Sequence, residues 1–248
     1  MQSKNSSKEP IAIIITIAVL TLIFSFNDGN PKFIWNLWLR NLAYVFILVS
    51  ISFLAFVFSC KLLAYYYESK VEFRLAYISR VWFNKQATME RKEVPKLIRK
   101  IPLGVILAIF AALASSGKFF LTSIFSFDSS TSRLGYRWRN VTQLEEAKIA
   151  FSGLFALLLL LSVFSLLSLS KGVIIATWLI VWNLLPLPNL PGGKIAFGAR
   201  TLWVLTVILM GVSILLIPII TPLIVIPLAI ILSLIFALFY FRYVEYSG

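Results

Sequence analysis

Apolar runs dominate this chain, and short polar breaks divide them. Five stretches have the length and continuity of membrane spans, roughly residues 10–26, 42–60, 149–169, 173–187 and 201–217. A sixth, roughly 220–240, follows almost without interruption. Drawn as one straight helix, residues 201–240 would rise about 60 Å, twice the ~30 Å hydrocarbon core, so this block is expected to fold back. Pro218, Pro222 and Pro227 are its natural hinge, since each lacks an amide donor and crowds the preceding turn. The segment 102–116, PLGVILAIFAALASS, is short for a crossing. Further back, Val71, Phe73, Leu75 and Tyr77 alternate with Glu72, Arg74 and Ala76, which predicts a short amphipathic strand. The stretch ATMERKEVPKLIRK beyond it reads as a basic surface helix or tether.

Composition fixes the class. Hydrophobic residues make up 60% of the chain, charged residues 13%, and the mean hydropathy is +0.91. Soluble domains sit near about 45–50% apolar and about 25% charged, so the chain is expected to be an integral membrane protein with the lipid bilayer as its first partner. Its 23 Lys and Arg against 10 Asp and Glu give +13. In a soluble protein that balance points to nucleic acid. Here basic loops held against an anionic leaflet explain it, and no nucleic-acid partner is expected. Lys4 and Lys8 precede the apolar run IAIIITIAVLTLIFSF, and no small-residue cleavage site follows, which reads as an uncleaved signal anchor.

Charge also arbitrates the topology. If 102–116 does not cross, 20 basic residues share one side and Lys32, Arg40 and Lys171 lie opposite. If it crosses, the division becomes 13 against 10. The positive-inside rule prefers the first arrangement. The expected fold is therefore an all-α polytopic membrane protein of about six transmembrane helices, with a re-entrant or strand-like insert at 102–116 on the cytoplasmic side. It forms a single domain, 1–248. The first two spans occupy 10–60, a basic insert 61–148, a core helix pair 149–200 and a helical hairpin 201–248. The N-terminus and basic loops are placed on the cytoplasmic side of the cell membrane.

One break stands out from ordinary span punctuation. In NLLPLPNLPGGKI, Asn183 to Ile195, three prolines and two glycines interrupt the end of a span. An unwound helix end exposes amides and carbonyls that can pair with an extended segment. Asn183, Pro186, Pro188, Asn189, Gly192 and Gly193 are the candidate peptide-binding edge. An ordinary helix stop is the alternative reading.

This stretch resembles the signature of the site-2 protease (M50) family of intramembrane zinc metalloproteases, in its archaeal type, written N-x-x-P-x-P-x-x-D-G. Asn183, Pro186, Pro188 and Gly192 match, and the zinc-ligating aspartate falls on Pro191. EEAKIAFSGLFALLLL is similar to a second family segment through Glu145, Lys148, Ile149, Ala150 and Gly153. There the family's Pro and Asn fall on Leu154 and Leu157. Lys61 and Glu72-Phe73-Arg74 then set the register of the family's H-E-x-x-H, whose residues fall on Phe56, Val57 and Cys60. The resemblance covers roughly residues 50–200.

It implies a zinc hydrolase scaffold, but the residues that would work it are missing. A catalytic zinc needs three protein ligands, an open position for water and a general base. The chain has no histidine and one cysteine, Cys60. Its ten carboxylates all lie outside or at the ends of the predicted spans. No catalytic residue, metal ligand or cofactor is therefore assigned, and Phe56, Val57, Cys60 and Pro191 are vestigial positions. Intramembrane serine chemistry lacks its histidine or lysine base, and proton-coupled transport lacks buried ionisable groups. The expected function is that of an inactive site-2-protease-like protein that binds transmembrane segments of partner proteins. Two alternatives stay open. One is an active metalloprotease with non-standard or partner-supplied ligands. The other is a non-enzymatic channel, lipid-handling or membrane assembly protein.

Overall fold

The computed structural model describes residues 9–26, 34–75, 103–131, 141–187 and 190–245. Within them the chain runs α1 (Glu9–Ser25), α2 (Trp35–Tyr66), β1 (Ser69–Leu75), α3 (Leu103–Ala114), β2 (Phe125–Thr131), α4 (Gln143–Leu166), α5 (Ser170–Leu184), α6 (Pro191–Gly198), α7 (Arg200–Leu216) and α8 (Pro222–Tyr240). The protein is mostly helical and membrane-embedded. Three of its helical stretches are long and apolar enough to cross a bilayer: Trp35–Tyr66, Gln143–Leu166 and Pro222–Val244. The shorter apolar helices α1, α5 and α7 occupy the other places where the hydrophobic pattern anticipates spans.

Helix ends follow local chemistry more than hydropathy. α4 starts earlier than the apolar run because Thr142 and Glu145 form a capping box. The Thr142 hydroxyl accepts from the Glu145 amide at 3.3 Å, and the Glu145 carboxylate accepts from the Thr142 amide at 2.8 Å. α7 and α8 fold back across a turn at 217–221. Pro218 lies in that turn, and Pro222 takes the first position of α8, where its missing amide is not needed. Pro227 corrects the hinge reading: it sits inside α8 and leaves one backbone carbonyl of that helix without its usual donor.

The strand-like reading of 102–116 is also corrected. Residues 103–114 form α3, as a segment rich in Ala and Leu with no period of two should. Its 12 residues rise about 18 Å. The second strand lies further on, in FSFDSST, where Phe125 and Phe127 alternate with Ser126 and Asp128. β2 pairs antiparallel with β1, with Phe73 opposite Phe127 and Leu75 opposite Phe125. Val71, Phe73 and Leu75 are buried, as the alternation requires. Tyr77 and the basic stretch at 87–100 lie outside the described residues.

Polar contacts gather at the two ends of the helical bundle. At one end, Asn41 of α2 donates from Nδ2 to the Ser25 carbonyl at 3.2 Å and accepts from the Lys171 ammonium of α5. At the other, Lys61 of α2 meets Glu9 of α1 at 2.8 Å, and Glu9 also accepts from the Phe73 amide of β1. From Asn41 to Lys61 the helix rises about 30 Å, the thickness of a hydrocarbon core. The sheet therefore sits at the Glu9–Lys61 end.

Candidate functional site

α2 and α4 approach closely because small residues line their crossing. Ser59 Oγ donates to the Ser152 carbonyl at 2.9 Å, and Ser152 Oγ donates to the Ser59 carbonyl at 3.2 Å. A Cβ on Gly153 would stand 2.5 Å from the Phe56 ring and 2.6 Å from the Cys60 sulfur. Phe56 and Cys60 therefore pack on the α4 backbone. Cys60 Sγ points at the Ile149 carbonyl, 3.5 Å away. Val57 is buried beside them. Leu154 and Leu157, where the resembled motif carries Pro and Asn, are fully enclosed.

An aromatic cluster closes the space above. Phe56 meets Phe125 edge-on at 5.3 Å and Phe73 at 6.1 Å, Phe53 meets Phe125 at 4.8 Å, and Phe73 meets Phe127 at 5.8 Å. Edge-to-face geometry at these separations is favourable, so the sheet is sealed to α2 by apolar contact.

The proline-broken segment packs against α4. α5 stops at Leu184, and the chain resumes in α6 with Pro191 in its first turn. A Cβ on Gly192 would stand 2.3 Å from the Leu184 carbonyl oxygen, so only glycine lets α6 lie this close to the end of α5. Asn183, Pro191, Gly192 and Gly193 are buried, while Pro186 is exposed. Asn183 donates from Nδ2 to the Leu179 carbonyl at 2.8 Å, and its Oδ1 has no partner among the described residues. Pro188 and Asn189 lie outside the described residues.

Between β2, the start of α4 and α6 opens a cleft of about 570 Å³, lined by Asp128, Ser129, Gln143, Glu146, Lys194 and Phe197 with Gly193 and Gly198. Lys194 is its one basic residue among the described residues. Its side chain is 14% exposed, its ammonium lies 4.0 Å from the centroid of the Phe127 ring, and Glu146 Oε2 is 3.8 Å away. Burial pushes the Lys194 pKa below the ordinary lysine value of 10.5, and Glu146 and then Asp128 oppose that shift. Glu146 accepts from the Ser129 hydroxyl, and Asp128 is bound by Arg74 at 2.7 Å.

The free edge of β2 forms one wall. The Phe73 amide turns outward to Glu9, so Phe73 and Phe127 are a pair whose backbone groups face away from each other. By the same parity the amide and carbonyl of Ser129 face away from β1. Among the described residues no further strand covers that side.

These residues do not fit the zinc that the resemblance implies. The positions Phe56, Val57, Cys60 and Pro191 offer one thiol, and it is packed against Gly153 and Ile149. Asp128 and Glu146 line the neighbouring cleft. They are, however, engaged with Arg74 and Ser129, and an ammonium already holds the positive charge between them. Among the described residues no three His, Cys, Asp or Glu side chains gather.

The sequence reading passed over Lys194, Asp128, Ser129 and Glu146. A signal existed for two of their neighbours: FSFDSST has the period of a strand, and Thr142-x-x-Glu145 has the spacing of a capping box. Nothing local marks Lys194, whose burial depends on three separate elements. No protein-family model matches the chain, and no curated protein or solved structure matches it.

Proposed function

We propose that this chain is a site-2-protease-like membrane protein that does not cut, and that holds an extended stretch of a partner's transmembrane segment in the cleft between β2 and α6. The observation that carries the reading is the outward-facing backbone of β2 at Ser129, beside a cleft large enough for one more strand. An unpaired strand edge is a template for another chain. The scaffold resemblance supports the same reading through the α2–α4 crossing and the break between α5 and α6. The absence of histidine removes the usual zinc-ligand set, and the one thiol, Cys60, is packed against Gly153.

On this reading α1, α2, α4, α5, α7 and α8 all span, giving six crossings, and α3 enters the bilayer from the sheet side and returns. Three of them, α1, α5 and α7, rise only about 22–26 Å, and their flanking turns complete the crossing. Charge puts the sheet and cleft at the cytoplasmic face. The partner then meets the cleft where its own helix leaves the membrane, and unwinding one turn there is enough to pair with β2.

Binding of an alternating Val-Thr hexapeptide, fluorescently labelled, to the purified protein in nanodiscs tests this. Ser129→Pro removes one outward amide without touching the β1 ladder. Anisotropy should show at least about tenfold weaker binding for Ser129→Pro, whereas Ser129→Ala should bind like the native protein. Equal affinity in all three would remove the edge from any role.

A further inference from the structure

Lys194 is the one charged side chain of the cleft that the protein leaves incompletely bonded among the described residues. Asp128 has Arg74 at 2.7 Å, and Glu146 has the Ser129 hydroxyl. The Lys194 ammonium has the face of Phe127 at 4.0 Å and Glu146 Oε2 at 3.8 Å, beyond the ordinary range of a charge-assisted hydrogen bond. An ammonium carries three donors. Facing the open cleft and 14% exposed, the ammonium can take further acceptors from water or from whatever occupies the cleft. The ring face attracts the cation but accepts no strong hydrogen bond. The ammonium also lies beside the strand edge that the cleft exposes, one turn into α6 and across from Ser129.

We infer that the cleft selects segments bearing a carboxylate, and that Lys194 is the residue that reads it. The inference rests on the reading of the cleft as a peptide site and adds the chemistry of its occupant. A strand laid along β2 presents alternate side chains to the cleft floor. A Glu or Asp side chain at one of those positions supplies Lys194 with an oxygen in place of water and forms a hydrogen-bonded ion pair partly screened by the cleft walls. A basic side chain there finds Asp128 and Glu146 already occupied and meets the ammonium head-on. Selection therefore runs toward acidic segments, although two of the three charged residues lining the cleft are acidic.

Three labelled hexapeptides test this: Val-Thr-Val-Glu-Val-Thr and its Gln and Lys counterparts at the fourth position. Each is titrated against the full chain in nanodiscs. The Glu peptide should bind about tenfold or more tightly than the Gln peptide, and the Lys peptide more weakly than either. In Lys194→Met the Glu and Gln peptides should bind alike, and in Lys194→Arg the preference should persist. Equal affinity of the Glu and Gln peptides for the native protein overturns the inference while leaving the peptide site intact. That contrast needs no variant, so it stands even where Lys194→Met does not fold. Tightest binding of the Lys peptide, or a Glu preference that survives in Lys194→Met, overturns it equally. Failure of all three peptides to bind removes the peptide site itself, and the inference with it.

Discussion

Two residues set the character of the centre. Gly153 is where α2 presses on α4, and any side chain there strikes the Phe56 ring and the Cys60 sulfur. Gly153→Val should therefore force the helices apart and cost about 1–3 kcal/mol, read as a lower thermal midpoint in detergent. Gly211, which has nothing within 4 Å of a built Cβ, is the control, and Gly211→Ala should change little. Lys194 makes the second prediction. Its folded pKa is lowered by burial, so between that value and 10.5 the unfolded chain binds more protons than the folded one. The Lys194 contribution to stability therefore rises with pH across that window and is least favourable below it. Midpoints measured as pH is raised toward 10.5 should climb more in the native protein than in Lys194→Met. Parallel profiles would show that Lys194 is no more buried than an ordinary surface lysine.

At the scale of elements, the structure departs from the hydrophobic pattern wherever polar groups decide. Hydropathy located the apolar helices, three of which are long enough to cross a bilayer. It could not see that Thr142 and Glu145 start α4 ahead of its apolar run. Thr142→Ala should cost about 1 kcal/mol and speed amide exchange in the first turn of α4. Unchanged exchange there would mean that the sheet, rather than the cap, holds that end. The alternation at Val71, Phe73 and Leu75 was legible as a strand, whereas the period of its partner FSFDSST is carried by Phe125 and Phe127 alone and fades into three serines and an aspartate. Those polar residues pair with Arg74 across the sheet and with the start of α4, neither of which can be read locally. The proline break between α5 and α6 was visible in the residues. The position of α6 against α4 was not, because it depends on Gly198 lying against the Gln143 carbonyl of another helix.

For the whole molecule, the organising fact is the separation of polar contacts into two ends, Asn41–Lys171–Ser25 and Glu9–Lys61 with the sheet. Six crossings would put the α7–α8 turn, with Ile219 exposed, on the face opposite Phe197 of the cleft. In a Cys60→Ser background, an impermeant maleimide should label Ile219→Cys from outside intact cells and Phe197→Cys only after the membrane is opened. Labelling of both from one side would require an odd number of crossings between the cleft and the turn to be withdrawn. The cleft itself was legible only as a place, the broken helix end. Its chemistry lies in Lys194, whose partners come from residues 127, 128 and 146. The most direct test of non-cutting capture is photocrosslinking in native membranes from a benzophenone residue at Phe197, with one at Phe236 on α8 as control. Phe197 should capture membrane proteins through a segment beside a transmembrane helix, each at full length, and Phe236 should not. Truncated products ending in the captured segment, or the same captures from both positions, would contradict it.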